Sequence, residues 1–290
     1  MQRREFLATS CAAGLASLAG GAALAGEAPA AARLPGETEA AYRARLARIR
    51  AAQAAERVGP REYYELRRYE IETPEQKTRF DKFAAEALVP ALNRHGVETV
   101  GVFYPEKDPS PIYVLLVHKS LQTCAALTEE LWEDQEFLTA GAEVVDAPAS
   151  SPVYKRIDVE LMVAFAGMPR PERPVTDEGR VLQLRTYESP SEKTGFKKIE
   201  MFNSAEIAIF RKVGLHPVFF GRTIAGPKMP NLTYMLAFKD AQEREANWKK
   251  FREDPDWQAL HAKPEYADKK ILRDNGITDI LLKPASYSQI

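Results

Sequence analysis

Between residues 62 and 72 apolar and polar side chains alternate, the two-residue period of a half-buried strand. The period changes at Thr73-Pro74-Glu75, where threonine can accept a capping hydrogen bond and proline suits the first helical position. Phe80, Phe83, Ala87, Leu88 and Leu92 then recur at helical spacing, and Gly96 marks the stop. Apolar runs over 97–104 and 112–119 flank a Pro/Asp/Ser turn and predict a hairpin. A helix over 121–133 and a strand over 157–165 complete the set. The same succession then returns as strand 180–188, helix 191–213, strands 215–224 and 232–239, helix 241–252 and strand 277–283.

The recurrence is also visible in residues. Tyr64-Glu65-Leu66-Arg67-Arg68-Tyr69-Glu70 reappears 118 positions later as Leu182-Gln183-Leu184-Arg185-Thr186-Tyr187-Glu188, and His95-Gly96 matches Val213-Gly214 at the same offset. At an offset of 121, Tyr113 matches Tyr234 and Ile157-Asp158 matches Thr278-Asp279. Each copy reads βαββαβ, the ferredoxin-like order, so the fold class is α+β with two tandem modules at 61–166 and 180–290. A proline-rich linker, 167–179, separates them. Helices on one face of each four-stranded sheet leave the other face uncovered, and the second copy is its natural cover. The two sheets are therefore expected to pack together as a pseudo-dimeric α+β barrel.

Ahead of the repeats, residues 1–25 carry Arg3-Arg4, Phe6-Leu7, an Ala/Gly/Leu run and the small-x-small end Ala23-Leu24-Ala25. This is the layout of a cleavable twin-arginine export signal, with an uncleaved anchor as the competing reading, and it predicts a periplasmic or extracellular protein. Residues 26–60 read as a tether and an N-terminal helix over 37–56 with a thin apolar stripe. Hydrophobic residues at 45% and charged residues at 28% suit a globular protein, and a net charge of −1 gives no pull toward nucleic acid or anionic lipid. No membrane contact is expected beyond the signal. With Cys11 inside the signal, Cys124 is left as a free thiol on a helix.

Strand periodicity puts Glu65, Arg67 and Tyr69 on one face, and Gln183, Arg185 and Tyr187 on the corresponding face of the second copy, with Leu66 and Leu184 turned toward the helices. If the polar triplets look into the barrel, two arginines and two tyrosines converge on one space suited to an anionic or carbonyl-bearing ligand. The competing reading is a structural network in which Glu65 pairs with Arg67 or Arg185. His216 is the candidate for acid-base work, on a strand face expected to include Val218, Phe220 and Arg222, and Arg222 joins the candidate ligand-binding set. His95, His118 and His261 have no partner at metal-ligand spacing, so no metal site is expected. Trp248, Phe251 and Trp257 read as packing residues.

Glu65-Leu66-Arg67-x-Tyr69, its echo Gln183-Leu184-Arg185-Thr186-Tyr187, and the stretch Arg244, Trp248, Phe251, Asp254-Pro255-Asp256-Trp257 resemble the NIPSNAP domain over residues 63–284. The first copy departs from that pattern with Asp134-Gln135-Glu136-Phe137 and no counterpart of Arg244. The resemblance implies a dimeric α+β barrel, a superfamily that also holds small monooxygenases and haem enzymes, and implies no established activity. It leaves the cofactor unknown, with haem open. The expectation is an exported protein that binds a small molecule or a protein partner through the barrel or its rim, as a monomer or a homo-oligomer, with a barrel-type oxidoreductase, either cofactor-independent or haem-dependent, as the alternative.

Overall fold

The computed structural model describes residues 38–44, 60–108 and 110–290. Met1–Ala52 and Gln53–Ile290 are separate units. In the first, residues 39–44 are helical, with Thr38 Oγ1 accepting from the Ala41 amide at 3.2 Å. The expected export signal and tether and the rest of the predicted helix 37–56 lie outside the described residues.

Eight strands organise the second unit: β1 (Tyr63–Tyr69), β2 (Val100–Pro105), β3 (Ile112–His118), β4 (Ile157–Ala164), β5 (Val181–Glu188), β6 (His216–Ala225), β7 (Asn231–Phe238) and β8 (Ile277–Pro284). All pairings are antiparallel, and the order β1-β3-β2-β8-β5-β7-β6-β4 closes into a barrel. Each repeat supplies a ferredoxin-like sheet, β4-β1-β3-β2 or β8-β5-β7-β6. The seams are β2 with β8, over Phe103–Pro105, and β4 with β6. Closure leaves no open edge, which joins the repeats through backbone hydrogen bonds as well as side chains.

Helices cover the outside. The first repeat has α1 (Pro74–Phe83), a π-helical turn (Ala84–Leu88), α2 (Val89–Arg94), α3 (Leu121–Glu133), α4 (Gln135–Ala140) and α5 (Ala142–Val145). The second has α6 (Glu192–Met201), a π-helical turn (Phe202–Glu206), α7 (Ile207–Val213), α8 (Ala241–Glu253), α9 (Pro255–His261), a 3₁₀ turn (Pro264–Tyr266) and α10 (Asp268–Ile271). The capping signals act as the sequence suggests: Thr73 and Ser191 each accept from the backbone amide three residues on and form capping boxes. Gly96 and Gly214 end the long helices at φ 81° and 82°. Among the described residues no helix is long and apolar enough to cross a membrane.

Three apolar clusters define the layers. Leu66, Leu184, Tyr64, Phe103, Phe219, Met162 and Met235 fill the barrel, while Tyr69 packs with α1 residues and Tyr187 with Phe202 and Phe210 in the two helical layers. The expected facing is thus reversed: the leucines look into the barrel and the polar triplets look out at the helices. An eight-stranded barrel leaves little more room than side chains fill, and large apolar groups take most of it here, while Arg68, Glu160, Leu184 and Thr186 line a further cavity of about 520 Å³. Register also corrects two of the repeat matches. Arg67 lies opposite Val114 and Val159, and Arg185 lies opposite Tyr234 and Asp279. The equivalents are therefore Val114 with Tyr234 and Val159 with Asp279, one residue away from the pairs expected. Tyr113 belongs to the barrel interior and Tyr234 to a helical layer. On β6 a bulge between Pro217 and Phe219 breaks the expected parity, so Val218 and Phe219 both enter the barrel cluster while Phe220 joins the helical one.

Candidate functional site

With the triplets on the outer face of the sheets, each repeat has its own cavity between sheet and helices. Glu65, Arg67 and Tyr69 line one of about 370 Å³ together with Trp132, Phe137 and Tyr154. Arg185 and Tyr187 line one of about 900 Å³ with Arg244, Trp248, Trp257 and Asp279. The two arginines do not converge on one space. Gln183 is fully buried beneath the second cavity, its amide donating to the Asp279 carboxylate at 2.8 Å and its oxygen accepting from Trp248 Nε1 at 2.7 Å. Among the described residues, His216 and Arg222 line neither cavity: His216 lies 3.7 Å from Glu243, and the Arg222 guanidinium sits 5.2 Å from the centre of the Phe196 ring.

The cavities have diverged in charge. In the first repeat the carboxylate comes from β1 itself: Glu65 accepts from Arg67 Nε at 2.6 Å and lies 2.9 Å from His118 Nε2. Burial opposes the charge of Glu65, but the His118 ring and the Arg67 guanidinium outweigh it and hold its carboxyl down to about 2. Cys124 on α3 points its thiol at the same carboxylate, 3.6 Å away, and burial together with that negative neighbour pushes the thiol up to about 11. In the second repeat the β1 glutamate is replaced by Gln183 and the carboxylate arrives from the adjacent strand as Asp279. It pairs with Arg185, and Arg244 Nη2 approaches it at 3.9 Å. Arg185 also donates to the Tyr187 hydroxyl at 3.3 Å, which bonds Tyr234 at 3.0 Å, and its guanidinium lies 5.0 Å from the Trp248 ring centre. Two guanidiniums share one carboxylate, and Lys249 and Arg252 line the same cavity against Glu245. The space carries surplus positive charge beside aromatic walls, the arrangement that receives an anion with a flat apolar body.

A second feature was not anticipated. Lys198 on α6 and Glu206 at the end of the π-helical turn form an ion pair at 3.1 Å, with side chains only 2% and 3% exposed. The ammonium lies 4.7 Å from the Phe202 ring centre, 5.5 Å from Tyr187 and 5.8 Å from Trp257, directly behind the cavity wall. Burial pushes the Glu206 carboxyl up despite the neighbouring cation. Both π-helical turns begin 118 residues apart, so the first repeat holds Phe80 and Leu88 at these positions. A charged residue recurring on the apolar face of a helix was the available sequence signal. Asp279 gave none, because its partner is set by register across strands distant in sequence.

A closed antiparallel barrel made from two ferredoxin-like sheets, with helices and a cavity on the outer face of each, places the molecule in the dimeric α+β barrel class. The profile of the NIPSNAP family matches residues 64–157 and 182–289, and the chain belongs to that family. No curated protein matches it. Among solved structures it is similar to a candidate monooxygenase from Fusobacterium nucleatum at 7% identity and TM-score 0.52, over 78% of this chain and 93% of that one. It is also similar to a NIPSNAP-like domain protein from Burkholderia xenovorans at 19% identity, covering 38% of this chain and 90% of that one with a TM-score of 0.34. A NIPSNAP family protein from Agrobacterium tumefaciens matches at 18% identity, over 38% and 98% of the respective chains, with a TM-score of 0.34.

Proposed function

We propose that this chain is an exported binding protein whose second-repeat cavity takes a small anionic ligand with an aromatic or flat apolar body. The observation that supports this reading is the convergence of Arg185 and Arg244 on the single carboxylate of Asp279, at the base of a cavity of about 900 Å³ walled by Trp248, Trp257 and Tyr187. A guanidinium only partly matched by protein carboxylate can give a bidentate contact to a ligand carboxylate or phosphate. The aromatic walls supply the apolar contact that fixes the body of the ligand.

Calorimetric titration of aromatic carboxylates, alongside their neutral amides, tests the reading. The carboxylates are expected to bind and the amides to bind at least about tenfold more weakly, since a hydrogen bond to a charged group contributes about 1.5–3 kcal/mol. Arg244→Cys, which installs the residue found at this position of α3 in the first repeat, should produce a loss of similar size with no loss of fold. Equal affinity for acid and amide, or unchanged binding by Arg244→Cys, would refute it. The oxidoreductase alternative predicts instead a chromophore or turnover of such compounds, which the absorption spectrum of protein from its native compartment would reveal.

A further inference from the structure

We propose that Glu65, His118 and Cys124 of the first repeat form a three-ligand site for a divalent cation of the zinc type. One ligand atom from each lies within 4.8 Å of the others. A tetrahedral zinc ion bound at 2.0–2.2 Å to oxygen and nitrogen and about 2.3 Å to sulfur sets ligand separations of about 3.6 Å for oxygen to sulfur and about 3.4 Å for oxygen to nitrogen. Glu65 Oε2 lies 3.6 Å from Cys124 Sγ and 2.9 Å from His118 Nε2. The first separation needs no change and the second opens by about half an ångström. Glu65 Oε1 is held by Arg67 Nε at 2.6 Å, which orients the carboxylate from behind and leaves Oε2 for the ion. Glu65 also lines the cavity of about 370 Å³, giving a fourth ligand a route to the remaining coordination position.

The second repeat provides an internal comparison. At the equivalent positions of β5, β7 and α8 it has Gln183, Phe238 and Arg244. The thiol and imidazole ligands are lost together and the carboxylate becomes an amide, while the strands and helix remain. The fold therefore does not require an acid, an imidazole and a thiol at these three places. His118 is 1% exposed, and the ring nitrogen it turns to the Glu65 carboxylate is Nε2, 2.9 Å away. Binding replaces the Cys124 S–H bond with a sulfur–metal bond and releases the proton to solvent, with no change of oxidation state.

The test is anaerobic titration of the chelator-treated full chain with Co²⁺, a spectroscopic stand-in for Zn²⁺. One equivalent should bind with a thiolate-to-cobalt charge-transfer band, visible bands of four-coordinate intensity and release of a proton, and Zn²⁺ should displace it. The chain also contains Cys11, so the charge-transfer band must vanish in Cys124→Ser and persist in Cys11→Ser. His118→Phe, carrying the residue of the second repeat, should weaken uptake further. No band in the unaltered protein, or a band that survives Cys124→Ser, overturns the proposal. Both outcomes are independent of anion binding in the second repeat.

Discussion

Removing the buried ion pair of the second repeat, one partner at a time and then both, tests whether Lys198 and Glu206 hold the fold. Lys198→Met leaves the Glu206 carboxylate 3% exposed with its cation gone. Breaking a buried pair in this way costs about 3–5 kcal/mol, a large share of a typical total stability of about 5–15 kcal/mol. Glu206→Leu leaves the Lys198 ammonium among the rings of Phe202, Tyr187 and Trp257 and 3.4 Å from Met201 Sδ. Desolvated cation–π contact recovers about 2 kcal/mol, so this variant should be the milder of the two by about that amount. The double variant Lys198→Phe/Glu206→Leu reproduces the Phe80 and Leu88 arrangement that the first repeat already packs with no loss of architecture. It should fall between neutral and about 4 kcal/mol more stable than the parent. Urea denaturation ranks the four proteins, and the added single variant Lys198→Phe closes the double-mutant cycle. The pH dependence adds a sign. Glu206 has a raised folded-state pKa, so its favourable contribution is lost as pH rises through that value and regained as pH falls. In Lys198→Met the lowering influence of the ammonium is gone, so the deficit should be largest near neutral pH and narrow on acidification. A double variant as unstable as Lys198→Met, or a deficit that widens in acid, would refute this account.

Two further outcomes follow from simpler features. Gly96→Ala meets nothing within 4 Å and should cost only the left-handed backbone penalty of about 1–2 kcal/mol, whereas Gly214→Ala brings its Cβ to 3.0 Å from Asn247 Nδ2, which donates to the Gly214 carbonyl, and should lower the melting temperature more. Replacing Arg3 and Arg4 by lysine should retain the full-length chain in the cytoplasm on cell fractionation, and continued export of the processed form would remove the twin-arginine reading.

Local physics made much of the fold readable in advance. Helices with Thr73 and Ser191 at their starts and Gly96 and Gly214 at their ends appear within a residue or two of the places the pattern assigned, because caps and left-handed stops act through neighbouring backbone. The π-helical turns that interrupt both long helices were not readable, since Ala84–Leu88 and Phe202–Glu206 keep an ordinary helical apolar pattern. The short helices after α3 and α8 were also passed over, because segments of four to seven residues draw their stability from packing.

The sequence by itself determined that there are two βαββαβ repeats, which residues on β1 and β5 share a face, and that each of these two strands carries a polar triplet on one side. Period-two alternation carries that information and no more. Only the tertiary structure decided which side looks inward, because closing the barrel filled the lumen with Leu66, Leu184, Tyr64 and Phe219 and sent Arg67 and Arg185 to separate outer cavities. It also decided the partners. Asp279 meets Arg185 across the β5–β8 register, and His118 and Cys124 meet Glu65 from a neighbouring strand and a helix. Contacts between residues distant along the chain depend on register and closure, and a one-residue difference in register reverses the face of every side chain it moves.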